Sequence, residues 1–105
     1  MDTTKYVAEF IGTFAFVLAI FLIVEYIGAK NPIAVAVSIG AVLAALIWTA
    51  ITFGGDGHFN PAFTVAKLTS DYNTPGQLVH YIAFLGAQVA AALSAYYVYD
   101  AIKRR

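Results

Sequence analysis

The chain has 105 residues, enough for one domain, of which 61% are hydrophobic and 11% charged, with a mean hydropathy of +0.77. A water-soluble domain with so few charges could not cover its surface, so most of this chain has lipid as its solvent. Six Lys and Arg balance six Asp and Glu, which leaves no basic field for nucleic acid, and the absence of cysteine removes disulfides, thiolate nucleophiles and thiolate metal sites.

In chain order, the first predicted element is a span from Tyr6 to Ile27, apolar apart from Glu9 and Glu25 near its ends. At about 1.5 Å per residue it crosses a hydrocarbon core of about 30 Å. It lacks the basic start, short apolar centre and small-residue cleavage pattern of a signal peptide, so it reads as retained. Gly28 to Pro32 is a short polar turn. The second span, Ile33 to Phe53, has no charged residue and is rich in Ala, Val, Ile and Gly, as closely packing membrane helices are. The third, Leu78 to Tyr99, follows the loop Ser70–Gly76 and is closed by Asp100 and the basic tail Lys103, Arg104, Arg105. Tyr96, Tyr97 and Tyr99 stand where an interfacial aromatic belt would. The fold class is all-α, a single membrane domain over 1–105, and the expected location is the cell membrane.

Between spans two and three, Gly54 to Gly57 ends a helix, Asn60 suits an N-cap, Pro61 suits a first helical position and Ala62 to Leu68 continues it. A helix over 61–68 is too short to cross. It could lie on the membrane surface, but apart from Thr64 it is apolar up to Lys67, which favours a re-entrant half-helix that dips to mid-membrane and returns.

The stretch Gly55-Asp56-Gly57-His58-Phe59-Asn60-Pro61-Ala62-Phe63-Thr64-Val65-Ala66, directly after an apolar span, resembles the glycine- and histidine-containing Asn-Pro-Ala signature in the first repeat of aquaporins and glycerol facilitators. Ala8 to Phe14 is similar to the opening of that family's first helix, and Leu85-Gly86-Ala87 to its third. The resemblance covers the chain from end to end but only half of the family's usual protein, which carries two such repeats inserted in opposite orientations. It implies one repeat of the aquaporin fold, three transmembrane helices and a re-entrant half-helix, completed by an inverted second copy. The implied function is a channel for water and small neutral solutes such as glycerol.

By the same resemblance, Asn60 from each copy would donate to the permeating oxygen, Pro61 would cap each half-helix against its mate and Ala62 would allow close approach. Facing helix N-termini make two positive poles that disfavour cations. Glu9 would accept hydrogen bonds from the re-entrant loop; the alternative is an interfacial glutamate facing water. His58 would pack and hydrogen-bond within the loop. The filter candidates are Phe63, standing where the family's second repeat usually has Arg, together with Gly40, Gly57 and His58. Gly40 lies about twenty residues before Asn60, where water-selective members place an aromatic. Trp48 either lines the pore or packs, with packing favoured. His80 and Gln88 are assigned only polar helix–helix contact.

One side would carry Lys5 and Lys67, the other Lys30, Lys103, Arg104 and Arg105. Two against four is a weak orientation bias and permits dual topology. The expected partners are membrane lipid and a second copy of the chain inserted upside down, with eight chains forming four pores by resemblance. Small residues at Ala36-Gly40-Ala44 and Gly86-Ala90-Ser94 would let helices approach closely. No cofactor or metal is implied. A non-conducting membrane-structural subunit and a nonselective ion channel remain alternatives. An enzyme is disfavoured, since Ser70-Asp71 has no neighbouring His and Gly54–Gly57 lacks the Lys of a phosphate loop. Met1 and the basic tail read as natural ends, with a fragment of a longer two-repeat chain left open.

Overall fold

The computed structural model describes residues 3–28 and 30–104. Met1, Ala29 of the expected turn and Arg105 of the basic tail lie outside them. Among the described residues there are four helices: α1 Thr3–Ile27, α2 Pro32–Thr52, α3 Pro61–Asp71 and α4 Gln77–Lys103. The long helices α1, α2 and α4 are each long and apolar enough to cross a membrane. Their ends follow local chemistry. Gly28, at φ 87°, turns the chain out of α1 and returns its N–H to the Val24 carbonyl at 3.0 Å. Asn31 caps α2 by accepting from the Ala34 N–H at 3.2 Å, with Pro32 in the first turn. Gly54, at φ 89°, follows the end of α2. Helix α3 continues to Asp71, three residues beyond the expected Leu68, and an i,i+4 ion pair of Lys67 with Asp71 at 3.5 Å supports its last turn.

Side-chain contacts give the helix directions. At one end, Lys5 of α1 meets Asp56 of the loop at 3.2 Å, Tyr6 of α1 meets His80 of α4 at 3.1 Å, and Tyr81 of α4 donates to Asp71 of α3 at 3.0 Å. At the other end, Tyr99 of α4 stacks on Phe21 of α1 with ring centroids 4.8 Å apart and donates to Glu25 at 3.1 Å. Helices α1 and α4 therefore run parallel and α2 returns between them in sequence. After α2 the chain enters the bundle and α3 carries it back to the end it came from. The longest dimension, 47 Å, matches a bilayer of about 40–45 Å including headgroups.

Helix α1 packs chiefly on α4 and also on α2, while α3 packs on α4. The core is small and half polar: Phe59, Tyr81, Phe84, Ala91 and Ala95 are buried beside Glu9, Thr13, His58, Thr64 and Gln88. The outside is apolar, as lipid requires. Helix α2 buries no residue at all, and Trp48, read as pore-lining or packing, is 71% exposed on the single chain. Both small-residue stripes are likewise on exposed faces, and a Cβ added at Gly40 or Gly86 would meet nothing within 4 Å. The close approach expected along them is not made inside one chain.

Candidate functional site

Helix α3, with 11 residues, is about 16 Å long, half of a hydrocarbon core of about 30 Å. Its N-terminal tip is therefore the feature that ends inside the membrane. Asn60 is its N-cap in extended geometry, φ −150° and ψ 115°, and its Oδ1 accepts from the Ala62 N–H at 2.9 Å. Because Oδ1 is committed to the cap, the amide NH₂ of the exposed Asn60 is presented away from the helix as a donor. Pro61 occupies the first helical position, where its missing N–H costs nothing. Ala62 and Phe63 complete the first turn, both exposed.

The tip is held by a buried polar chain drawn from α1, α3 and α4. Oε1 of Glu9, which is 1% exposed, accepts from the backbone N–H of Phe59 and from Nε2 of Gln88 at 3.0 Å. The same Nε2 donates to Oγ1 of Thr64 at 2.7 Å, and Nδ1 of His58 lies 2.9 Å from that hydroxyl. Gln88 thus spends both amide protons in joining α1 to α3. A carboxyl group in this position faces protein rather than lipid, as ionisable groups in spans generally do. His58 is enclosed by aromatic rings, Phe63 at 4.9 Å, Phe84 at 5.1 Å and Tyr81 at 5.9 Å between centroids.

Phe59 carries the local strain. Among the described residues it is the one non-glycine residue with positive φ, 50°, a conformation that costs an L-residue about 1–2 kcal/mol. The Glu9 carboxylate offsets this by holding its N–H. The site also has an ionic rim. Asp56 lies 3.2 Å from Lys5 and 3.6 Å from Nε2 of His80, and Asp71 gathers Tyr81, Ser70 and Lys67. The Tyr81 hydroxyl donating to Asp71, seconded by Ser70 and Lys67, holds the Asp71 carboxyl below its usual range.

Beside the tip, a cavity of about 350 Å³ is lined by Thr13, Phe16, Asn60, Pro61, Gln88 and Leu93 among others. Thr13 Oγ1 and Gln88 Oε1 are the buried side-chain atoms without a hydrogen-bond partner among the described residues, and both residues belong to this lining.

Of the residues singled out in the sequence, Glu9, Gly57, His58, Asn60, Pro61, Ala62 and Phe63 are gathered on or around the tip. Gly57, at φ 65°, lies against the backbone of Ile47 of α2. Gly40 stands apart on the open face of α2. Gln88 and His80 make the polar helix–helix contacts expected of them; sequence reasoning gave no role to Thr64, Phe59 and Gly12. An amide in an otherwise apolar span was a signal that Gln88 faces protein, but its partners Glu9 and Thr64 are 79 and 24 residues away in sequence.

Three crossing helices with a half-helix folded back among them define an integral, multi-pass membrane protein built on one repeat of the aquaporin fold. The chain belongs to the major intrinsic protein family, whose family model matches residues 2–104. No curated protein and no solved structure matches it. The family's members are membrane channels for water or small solutes rather than enzymes, and the chain is a channel protein of that class.

Proposed function

We propose that this chain forms a channel for water and small neutral solutes such as glycerol, with the pore completed by a second copy inserted in the opposite orientation. One observation carries the reading. The 11-residue half-helix starts at Asn60, whose amide donor is exposed beside a cavity of about 350 Å³ lined by Thr13, Asn60 and Gln88 among others. Left facing lipid, the exposed amide protons of Asn60 would have no partner, at a cost of several kcal/mol. An inverted copy brings its own tip to the same depth, so the two Asn60 amides meet at the midplane. Two facing helix N-termini then oppose cations and accommodate an uncharged solute's oxygen. The open face of α2, with Ala36, Gly40 and Ala44, supplies a surface for the partner.

In this reading Glu9 holds the loop, and Phe63, Gly40, Gly57 and His58 bound the constriction on each side. The filter carries no arginine, so exclusion of cations rests on the helix poles. Assembly of eight chains into four pores follows the family's habit and is open to direct mass measurement.

The test is stopped-flow light scattering of proteoliposomes containing only this chain, first in an impermeant osmolyte and then in glycerol. Shrinkage far faster than that of empty vesicles is expected, and it should be lost in Asn60→Leu. Two variants whose basic residues are moved to the Lys5 and Lys67 side, or to the Lys30 and Lys103 side, fix the two orientations. Each alone should be silent, and the mixture should conduct. Conduction by either variant alone would reject the antiparallel pore; silence of the inserted wild-type chain would favour a structural subunit.

A further inference from the structure

Helix α1 touches the residue before Asn60 at two points one turn apart. Glu9 accepts from the backbone N–H of Phe59, and three residues on, Gly12 lies under the Phe59 ring. A Cβ at Gly12 would come within 2.8 Å of Cδ1 of that ring and closer still to Cε1 and Cζ. The ring therefore rests on bare helix backbone, an approach that only glycine permits. Phe59 is 4% exposed, so it has no second place to go. Its positive φ sets the direction in which the chain leaves for Asn60, and nothing in a phenylalanine favours that φ on its own.

Phe59 also stands between two spaces. A groove of about 230 Å³ between α1 and α2 is lined by Ala8, Gly12, Leu46, Ala50 and Phe53, and the cavity at the half-helix tip by Thr13, Asn60 and Gln88 among others. Among the described residues Phe59 is the one shared by both linings.

We propose that Gly12 and Phe59 form a positioning seat for the channel: the ring of Phe59, laid on Gly12, fixes the aim of Asn60 and walls the tip cavity off from the groove between α1 and α2. This rests on the channel reading given above for its consequence, though not for its geometry. A methyl group at residue 12 lifts the ring, releases the φ of Phe59 and turns Asn60 away. Removing the ring leaves Asn60 loosely aimed and joins the two spaces, which gives solutes and ions a path around the Asn60 donors.

The experiment compares wild type, Gly12→Ala, Phe59→Ala and the double variant Gly12→Ala/Phe59→Leu in proteoliposomes, normalised to inserted protein. Gly12→Ala is expected to lower water flux to the level of empty vesicles. Phe59→Leu in the same chain makes room for the methyl group and should restore both flux and the glycerol-to-water ratio. Phe59→Ala is expected to raise that ratio and to admit ions that wild type excludes. A merely structural role would lower the amount of inserted protein without changing the ratio. If Gly12→Ala fails to insert, recovery of insertion and of the wild-type ratio in the double variant carries the same conclusion. Wild-type flux and ratio in Gly12→Ala, no gain in the double variant, or unchanged selectivity in Phe59→Ala would each overturn the proposal.

A second readout separates this from the channel reading. The chain has no cysteine, so Asn60→Cys introduces a unique thiol for a small, water-soluble thiosulfonate reagent. Its labelling rate should change when Gly12→Ala is added and return with Phe59→Leu, whether or not the wild-type chain conducts. An unchanged rate would reject the seat; a silent wild type with the labelling change present would reject the channel and leave the seat standing.

Discussion

Helices α2 and α4 are both apolar enough to cross a membrane, yet they hold the fold in opposite ways. Helix α4 buries Tyr81, Phe84, Gln88, Ala91 and Ala95, at alternating spacings of three and four residues, the narrow seam of a helix that packs along its length. Helix α2 buries nothing and packs on α1 alone among the helices. Hydrophobicity does not account for the difference, because in lipid an apolar surface gains little by leaving its solvent. What α4 has and α2 lacks is a polar group that needs protein partners, Gln88, and aromatic residues that enclose the half-helix. The single chain is therefore α1, α3 and α4 joined by a polar core, with α2 attached at one side and its far face open.

The largest effect is expected from loss of the acceptor at the centre of the polar core, Glu9. Glu9→Leu leaves the Phe59 N–H and one Gln88 proton buried without a partner, each a loss of about 1–3 kcal/mol. We expect this variant to insert poorly and to unfold at a much lower temperature in detergent, while Glu9→Gln, which keeps an acceptor oxygen, retains most of the stability. Equal behaviour of the two variants would mean that the network is incidental to the fold.

Thr64→Val is a smaller test of the same idea, since it keeps shape and removes one hydroxyl. Gln88 loses one acceptor and His58 its hydrogen-bond partner, and the expected loss is about 1–3 kcal/mol in total. Detergent unfolding should place it between wild type and Glu9→Leu. A variant as stable as wild type would assign the joining of α1 to α3 and α4 to the Glu9 contacts alone.

This difference also explains how much of the molecule was legible beforehand. The three spans and the half-helix follow from unbroken apolar runs, from Asn31 and Asn60 as caps and from Gly28 and Gly54 as breaks, all of which are local. That Asn60 and Pro61 start a helix was legible because a capping residue followed by proline is a local start signal, whereas the roles expected of Asn60 to Phe63 came from the resemblance. Of the polar core, only the contact of Glu9 with the loop was expected, from the resemblance; its joining to Gln88 and Thr64 was not legible, because the three come from three helices and no spacing in the sequence pairs them. Trp48 is exposed for a related reason: a large aromatic packs only where it has a neighbour, and within the single chain α2 offers none on that side.

At the rim the expected effect is slight. Hydrogen bonding from Tyr81, with help from Ser70 and Lys67, lowers the Asp71 pKa in the folded chain. A depressed carboxylate pKa means stability that is present above the unfolded value, about 3.9, and is lost as pH falls through and below it. Wild type should therefore exceed Asp71→Asn in unfolding temperature at neutral pH, by a small margin because the group faces solvent, and the two should converge in acid. A margin that persists at low pH would assign the effect to packing of Tyr81 instead.

Smallest of all, for the single chain, is the effect expected at the open face of α2. A side chain added at Gly40 meets nothing within 4 Å, and replacing an exposed helical glycine by leucine favours the helix by somewhat under about 1 kcal/mol. Gly40→Leu should therefore insert as well as wild type and unfold at the same or a slightly higher temperature under conditions that keep the chain monomeric. In bilayers, where the proposed second copy approaches this face, the same variant should lose the cross-linkable dimer and the water flux together. Loss of stability in the monomer would show that α2 is bound into the fold after all. An intact dimer with unchanged flux would place both the interface and the constriction elsewhere, and would leave the surface around the cavity beside the Asn60 tip, lined by Phe16 of α1 and Leu93 of α4, as the one on which the partner is held.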